Sequence, residues 1–167
     1  MWTGRFAGPV HIASGVEPAA AMRRIARQRG IDAVDGVAEA LPYSDTAFDV
    51  VLMVTTICFV DDVDAALREA YRVLRPGGHL IVGFVDRAGP LGRAYETGRA
   101  ANPFYAEATF LSADEVAAHL IRAGFSTLRF RQTIFTPLCE VQELQPSRPG
   151  HGQGAFVVVQ AERPAAA

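Results

Sequence analysis

Phe48-Asp49-Val50-Val51-Leu52-Met53-Val54 and Arg75-Pro76-Gly77-Gly78-His79-Leu80-Ile81-Val82-Gly83-Phe84-Val85 bracket the stretch whose reading decides the fold. Both contain short apolar runs rich in β-branched residues. Neither run alternates as a half-wet strand does, so both predict strands covered on two faces. Between them Val63, Ala66, Leu67, Ala70, Val73 and Leu74 recur at three- and four-residue spacing, while Asp64, Arg68, Glu69 and Arg72 take the other side. That is a helix with one buried stripe. Asp61 or Asp62 can cap its start, and Pro76-Gly77-Gly78 ends it. Strand, helix and strand together make a βαβ unit with a right-handed crossover.

Upstream, Ile12-Ala13-Ser14-Gly15-Val16-Glu17 is a brief strand ending in a carboxylate. Pro18 suits the first turn of a helix that runs to Arg29, with Met22, Ile25 and Ala26 on one face and Gly30 as its stop. Arg23, Arg24, Arg27 and Arg29 read as its solvated face. Ile31 to Gly36 is a weak strand, Val37 to Tyr43 a loop, and Ser44-Asp45-Thr46-Ala47 a turn into Phe48. Downstream, residues 86–110 carry glycines, prolines and the aromatics Tyr95, Phe104, Tyr105 and Phe110. Ser112-Ala113-Asp114-Glu115 is a capping box opening a helix that Gly124 stops. Phe125 to Phe135 alternates apolar and polar residues, as an antiparallel strand with one wetter face does. Residues 137–152 read as a loop or short helix, Ala155 to Val159 as a last strand, and 164–167 as a frayed tail. No repeat or linker divides the chain, so 1–167 reads as a single α/β domain with a mostly parallel sheet.

Composition narrows the function. The chain has 167 residues, half of them hydrophobic and 20% charged, which suits one domain with a real core. A net charge of -2 gives no electrostatic case for nucleic acid or an anionic membrane. No apolar run approaches the roughly 20 residues that a membrane helix needs. Cys58 and Cys139 stand outside any metal-ligand spacing and read as free thiols of a cytoplasmic protein, so no metal site is expected.

The order of motifs resembles the class I methyltransferases that use S-adenosyl-L-methionine (SAM), in particular the small-molecule group labelled methyltransferase type 11. Glu17-Pro18 with Met22 is similar to the family's acidic residue ending the second strand and the Met of the following helix. Ala38-Glu39-Ala40-Leu41-Pro42-Tyr43, then Asp45 and Phe48-Asp49-Val50-Val51, resembles its adenine-side loop and fourth strand. Arg72-Val73-Leu74-Arg75-Pro76-Gly77-Gly78-His79-Leu80 resembles the turn into its fifth strand. The resemblance implies a Rossmann-like sheet in the order 3-2-1-4-5-7-6, with strand 7 antiparallel. It implies SAM as cofactor, held by Thr3, Gly4, Arg5, Glu17, Pro18, Met22, Val37, Ala38, Glu39, Val54 and Thr55.

The implied roles have a physical logic. Ligands of open α/β sheets bind beyond the carboxyl ends of strands, where strand order reverses. A carboxylate there, Glu17, can accept both hydroxyls of a ribose. Met22 can pack on adenine. Ala38 offers a backbone N–H to an adenine ring nitrogen. Val37 stands where many members carry Asp and cannot accept from the adenine amino group. Val54, Thr55 and Thr56 fall beside the methionine part, and Phe59 is a wall of the same pocket or plain core. Tyr95, Phe104 and Tyr105 form an apolar lid over a small-molecule acceptor, with Arg93 or Glu96 as polar contacts.

The resemblance is incomplete at its start. Thr3-Gly4-Arg5-Phe6-Ala7 matches the end of the family's glycine-rich loop, and Trp2 stands where its middle glycine belongs. The acidic residue of that loop and the first strand, the centre of the sheet, have no counterpart among these residues. The expectation is a truncated sequence whose start lies upstream; the alternatives are a gap closed by direct pairing or by a strand borrowed from a second chain, and a degenerated protein that has lost cofactor binding. The 167 residues as they stand are expected to bind SAM weakly or not at all. No general base is evident, and catalytic residues are not assigned: Asp49 and His79 lie at the wrong strand ends, and His11, His119 and His151 show no partner spacing. The rival reading is a non-catalytic interaction or regulatory protein.

Overall fold

The computed structural model describes residues 14–98, 106–137 and 140–165. In chain order its elements are β1 (Gly15–Val16), α1 (Ala20–Gln28), β2 (Ala33–Val34), β3 (Phe48–Val54), a 3-10 turn (Ile57–Phe59), α2 (Val63–Val73), β4 (Leu74–Val85), α3 (Pro90–Gly98), α4 (Ala113–Arg122), β5 (Ser126–Thr133), β6 (Arg148–Pro149) and β7 (Phe156–Glu162). The βαβ unit forms where the periodicity puts it. Asp62 caps α2 by accepting from Ala65 N at 2.9 Å, and Ala66, Leu67, Ala70 and Val73 make its buried stripe. β3 and β4 then pair in parallel, with Val51 opposite Leu80 and Met53 opposite Val82.

Two sheets result. β1 and β2 form a parallel pair, and the second sheet has the order β3-β4-β7-β5-β6. β7 runs antiparallel between β4 and β5. Together the two sheets reproduce the 3-2 and 4-5-7-6 portions of the implied order, and β6 adds a two-residue edge. Among the described residues no strand joins the two sheets.

One face of the larger sheet carries the core. Leu80, Val82 and Phe84 of β4 and Val157, Val159 and Ala161 of β7 are buried against Leu67 and Ala70 of α2 and Val116 and Leu120 of α4. Each large side chain buried in this way contributes about 1.5–3 kcal/mol. The Ser112–Glu115 capping box is complete, and it aims α4 at that face. Arg163, just past β7, closes the open end of α2. Its Nη1 donates to Tyr71 O at 2.8 Å and to Leu74 O at 2.6 Å, and its guanidinium lies 4.6 Å from the Tyr71 ring centre.

Several expectations need correction. β3 is not covered on both faces: Val50 is 52% exposed and Asp49 is exposed, and among the described residues β3 also ends its sheet. The arginines of α1 are not all solvated. Arg23 Nη1 donates to Glu17 O at 2.8 Å and to Asp35 Oδ1 at 2.7 Å, and Arg27 Nε donates to Ala33 O at 2.8 Å. They tie α1 to β1 and β2, where backbone acceptors lie within reach of long side chains. His119 has a partner, Asp64, supplied by α2 across the packed pair α2–α4. His79 is half-buried rather than superficial, and its Nδ1 is enclosed without a partner among the described residues. Thr3, Gly4, Arg5, Phe104, Tyr105 and Cys139 lie outside the described residues.

Candidate functional site

Glu17 follows β1 directly, half-buried, and its backbone N–H donates to Val34 O at 3.1 Å. Oε1 accepts from Ala19 N at 2.9 Å, which supports the first turn of α1, whose N-cap Ala19 has no side-chain cap of its own. Oε2 makes no hydrogen bond among the described residues. Pro18 is exposed, and Met22 sits half-buried on α1.

The loop after β2 is a tight turn. Val37 and Ala40 form an isolated bridge, with Ala40 N donating to Val37 O at 3.2 Å. Val37 is 44% exposed, while Ala38 packs against the core. Glu39 turns back toward the segment beyond β3: Oε1 accepts from Asp61 N at 2.7 Å and Asp62 N at 3.4 Å. Glu39 therefore satisfies free donors at the start of α2, a contact that suits a carboxylate at the positive end of a helix.

β3 ends at Val54, and the next residue departs from ordinary geometry. Thr55 has φ +52°, an outlier for a β-branched residue. It is held there by its N–H on Gly83 O at 2.7 Å and its Oγ1 on Val54 O at 2.8 Å. Backbone strain of this kind costs about 1–3 kcal/mol and clusters at ligand sites. Thr56 Oγ1 also donates to Val54 O, at 3.2 Å. Phe59 is 52% exposed, so it is not core. Cys58 is enclosed enough that burial pushes its thiol up to about 11, which keeps it protonated at neutral pH.

Residues 86–98 and 106–111 gather at the ends of β3 and β4. Thr109 N donates to Cys58 O at 2.8 Å and Arg87 N to Leu111 O at 3.0 Å. Arg87 Nη2 meets Glu115 Oε1 at 2.5 Å. The Ser112 backbone N–H, with Arg87 adding to it, holds the Glu115 carboxyl below its ordinary range. Tyr95 is half-buried on α3, its ring 5.8 Å from that of Phe110, which is itself buried. Asp86 at the end of β4 is fully buried. Its Oδ1 accepts from Ala88 N at 2.9 Å and Ala113 N at 3.2 Å, which joins the β4 end to the start of α4.

The structure brings Glu39 and the start of α2 together, and Thr55 with the end of β4. Sequence reasoning missed the seam between Thr109 and Cys58, the cap from Glu39, and a guanidinium beneath the 38–43 turn that belongs to Arg72. The first two are contacts far apart in sequence and leave no local pattern. Arg72 reads in the sequence as a polar position on an amphipathic helix and as the start of the stretch that resembles the turn into the family's fifth strand, and neither reading points to the 38–43 turn. Among the described residues no group of three or more His, Cys, Asp or Glu side chains could hold a metal ion. No described helix is long and apolar enough to cross a membrane.

Known proteins resemble this chain in the same terms. A family model described as a methyltransferase domain matches residues 3–82. A crystal structure from Thermotoga maritima, described as a SAM-dependent methyltransferase and possible histamine N-methyltransferase, superposes with a TM-score of 0.93 at 49% identity. The match covers 96% of this chain and 77% of that one. An uncharacterised protein of Methanocaldococcus jannaschii is 39% identical over 161 residues, 96% of this chain and 78% of its own. A ubiquinone/menaquinone biosynthesis C-methyltransferase of Pseudoalteromonas translucida is 48% identical over 52 residues, 31% of this chain and 21% of its own. The chain belongs to the class I SAM-dependent methyltransferases. Its cofactor is SAM, its fold the Rossmann-like methyltransferase sheet, and its chemistry methyl transfer.

Proposed function

We propose that this chain methylates a small-molecule acceptor held beneath residues 86–98 and 106–111, with SAM lying across the ends of β1 to β4. The observation that carries the reading is the seam between Thr109 N and Cys58 O. It holds the residue before Phe110 on the 3-10 turn that follows Thr55, which favours a compact molecule over a polymer as acceptor. The Thermotoga maritima relative, described as a possible histamine N-methyltransferase, supports the same size class.

The donor set suits the adenosine half of SAM. Glu17 keeps Oε2 available for a ribose hydroxyl, and Ala38 supplies a backbone amide at the adenine edge. Val37 and Met22 give apolar contact, and Glu39 and Pro18 shape the turns on either side. Val54 and Thr55 mark the methionine end. Val37 leaves the adenine amino group without a carboxylate partner, so the base is held by backbone and packing. When bound, SAM supplies an electrophilic methyl group on a sulfonium, and the hard chemistry is the cofactor's. The chain's own residues orient the acceptor and exclude water: Tyr95 and Phe110 from above, Thr55 from the strand end. An acceptor that is already nucleophilic needs no base from the protein.

The test is methyl transfer from radiolabelled SAM to a panel of small amines, phenols and thiols, alongside calorimetric titration with SAM. Glu17→Ala is expected to weaken SAM binding about tenfold or more, since hydrogen bonds to a charged group are the strong ones. SAM binding without turnover of any acceptor would move the chain to the non-catalytic reading. Binding unaffected by Glu17→Ala would remove the ribose role.

A further inference from the structure

The loop at residues 36–43 has little support of its own. Its internal hydrogen bonds are Ala40 N to Val37 O at 3.2 Å and Tyr43 N to Leu41 O at 2.8 Å, and Pro42 contributes no N–H. Outside support comes from Glu39 on the Asp61 and Asp62 amides, from Tyr43 Oη against Ser14 Oγ at 2.5 Å, and, for the backbone of Leu41 and Tyr43, from one guanidinium on α2. Arg72 Nη2 donates to Leu41 O at 3.0 Å and Nη1 to Tyr43 O at 2.8 Å. The same group is gripped by Glu69, Nε to Oε1 at 2.7 Å and Nη2 to Oε2 at 2.7 Å. Glu69 Oε2 also accepts from Leu41 N at 2.8 Å, so the pair takes both backbone groups of Leu41. Arg72 Nη1 also donates to Asp45 Oδ1 at 2.7 Å, so the guanidinium makes five hydrogen bonds to two carbonyls and two carboxylates, more than the three donors of an ammonium can supply.

The root of this clamp is rigid. Ala70 and Val73, beside Glu69 and Arg72 on α2, are fully buried in the core. The clamp itself is partly shielded, with the Arg72 side chain 30% and the Glu69 side chain 21% exposed. The Arg72 hydrogen bonds, with Leu41 N–H adding to them, hold the Glu69 carboxyl below its ordinary range. The clamp acts on backbone, and backbone is what Ala38 presents to the base.

We propose that Arg72, oriented by Glu69, is a positioning residue that fixes the adenine-facing turn and thereby sets base selectivity. This rests on the methyltransferase reading of the site. It extends that reading to a residue that touches neither cofactor nor acceptor. Selectivity follows because a fixed amide donor discriminates between a base with a ring acceptor at that edge and a base with an N–H there.

The experiment uses the full chain and two ligands, S-adenosylhomocysteine and S-inosylhomocysteine, whose base carries an N–H in place of an adenine ring acceptor. In Arg72→Ala, amide exchange at residues 38–41 is expected to rise about tenfold, while Val82 and Val159 stay protected as in the wild type. The affinity ratio between the two ligands is expected to collapse toward one. Arg72→Lys, which keeps the charge and loses the fork, should fall between. If Arg72→Ala does not fold, Glu69→Gln serves in its place. Its amide still accepts from Leu41 N but cannot grip the guanidinium on both arms, so both readouts should shift the same way by a smaller factor. Unchanged exchange, or a uniform loss of both affinities with the ratio intact, overturns the proposal. A wild type that binds neither ligand overturns the methyltransferase reading and this inference with it; a wild type that discriminates and a variant that discriminates equally overturn the clamp alone.

Discussion

Asp64 on α2 and His119 on α4 meet at 2.6 Å between Oδ1 and Nδ1, and this pair joins the two helices that cover the core face of the sheet. Arg122, one turn on from His119, approaches Asp64 Oδ1 at 3.2 Å. The His119 hydrogen bond, then the charges of His119 and Arg122, hold the Asp64 carboxyl below its ordinary range. A carboxylate with a depressed folded pKa contributes stability above its unfolded value, about 3.9, and that contribution is lost as pH falls through the folded value. Wild type should therefore melt higher than Asp64→Asn at pH 5 to 7, and the gap should shrink as the solution is acidified below about pH 4. Thermal melts of both proteins across that range check it. A gap that persists unchanged at about pH 2 would assign the effect to packing.

The Pro-Gly-Gly turn yields a ranked pair of substitutions. Gly77 has φ +80° with open space around a notional Cβ, so Gly77→Ala meets only the left-handed backbone penalty of about 1–2 kcal/mol. At Gly78 a Cβ would stand 2.8 Å from Arg75 O and 3.0 Å from Asp49 O, both backbone atoms that cannot rotate away. These residues also tie β4 to the end of β7, with Gly77 N on Arg163 O at 2.8 Å and Arg163 N on Gly78 O at 2.9 Å. Gly78→Ala is expected to cost more than Gly77→Ala, about 2–3 kcal/mol, in denaturant unfolding. Equal losses would mean that the backbone here gives way easily.

The elements most readable in the sequence are those whose signal is local. The stripe Val63 to Val73, the capping box at Ser112 and the stops at Gly30 and Gly124 each place an element without reference to the rest of the chain. The apolar runs at Phe48 and Leu80 read alike, yet among the described residues β4 is flanked on both edges and β3 on one. Composition reports that a strand is apolar, not whether a neighbour stands beside it. The site divides in the same way. Glu17 and the 37–43 loop enter as expectations through family resemblance, which rests on short local stretches of sequence. Arg72, 31 residues from Leu41, and the Thr109–Cys58 seam depend on tertiary placement alone.

Thr55 is where strain at the end of β3 can be measured. Thr55→Gly removes the left-handed penalty of about 1–3 kcal/mol. It also loses the Oγ1 bond to Val54 O and adds the entropy cost of glycine, together about 1–2 kcal/mol. The net change in stability should lie between a loss of about 1 kcal/mol and a gain of about 2 kcal/mol. Thr55→Val keeps the strain and loses the bond, and should be destabilised by about 1–2 kcal/mol. Chemical denaturation of the two variants separates these outcomes. If Thr55→Gly proves the less stable of the two, the lost hydrogen bond and the chain entropy outweigh backbone strain at this residue.

The open side of β3 gives the last prediction. Val50 is 52% exposed in a strand that pairs with β4 alone among the described residues. An apolar edge with free backbone donors and acceptors is a template for pairing with another chain, and lysine is a common natural guard against it. Val50→Lys removes little burial, so its effect on stability should stay within about 0.5 kcal/mol. Its effect on association should be larger: concentration-dependent self-association of the wild type, read by sedimentation velocity, should fall in the variant at equal concentration. Asp49, the neighbouring edge position, is already charged and pairs with Arg75 at 2.7 Å, so Asp49→Val should act in the opposite sense and promote association. A wild type that stays monomeric at all concentrations, or a Val50→Lys protein that unfolds, would show that this edge is covered.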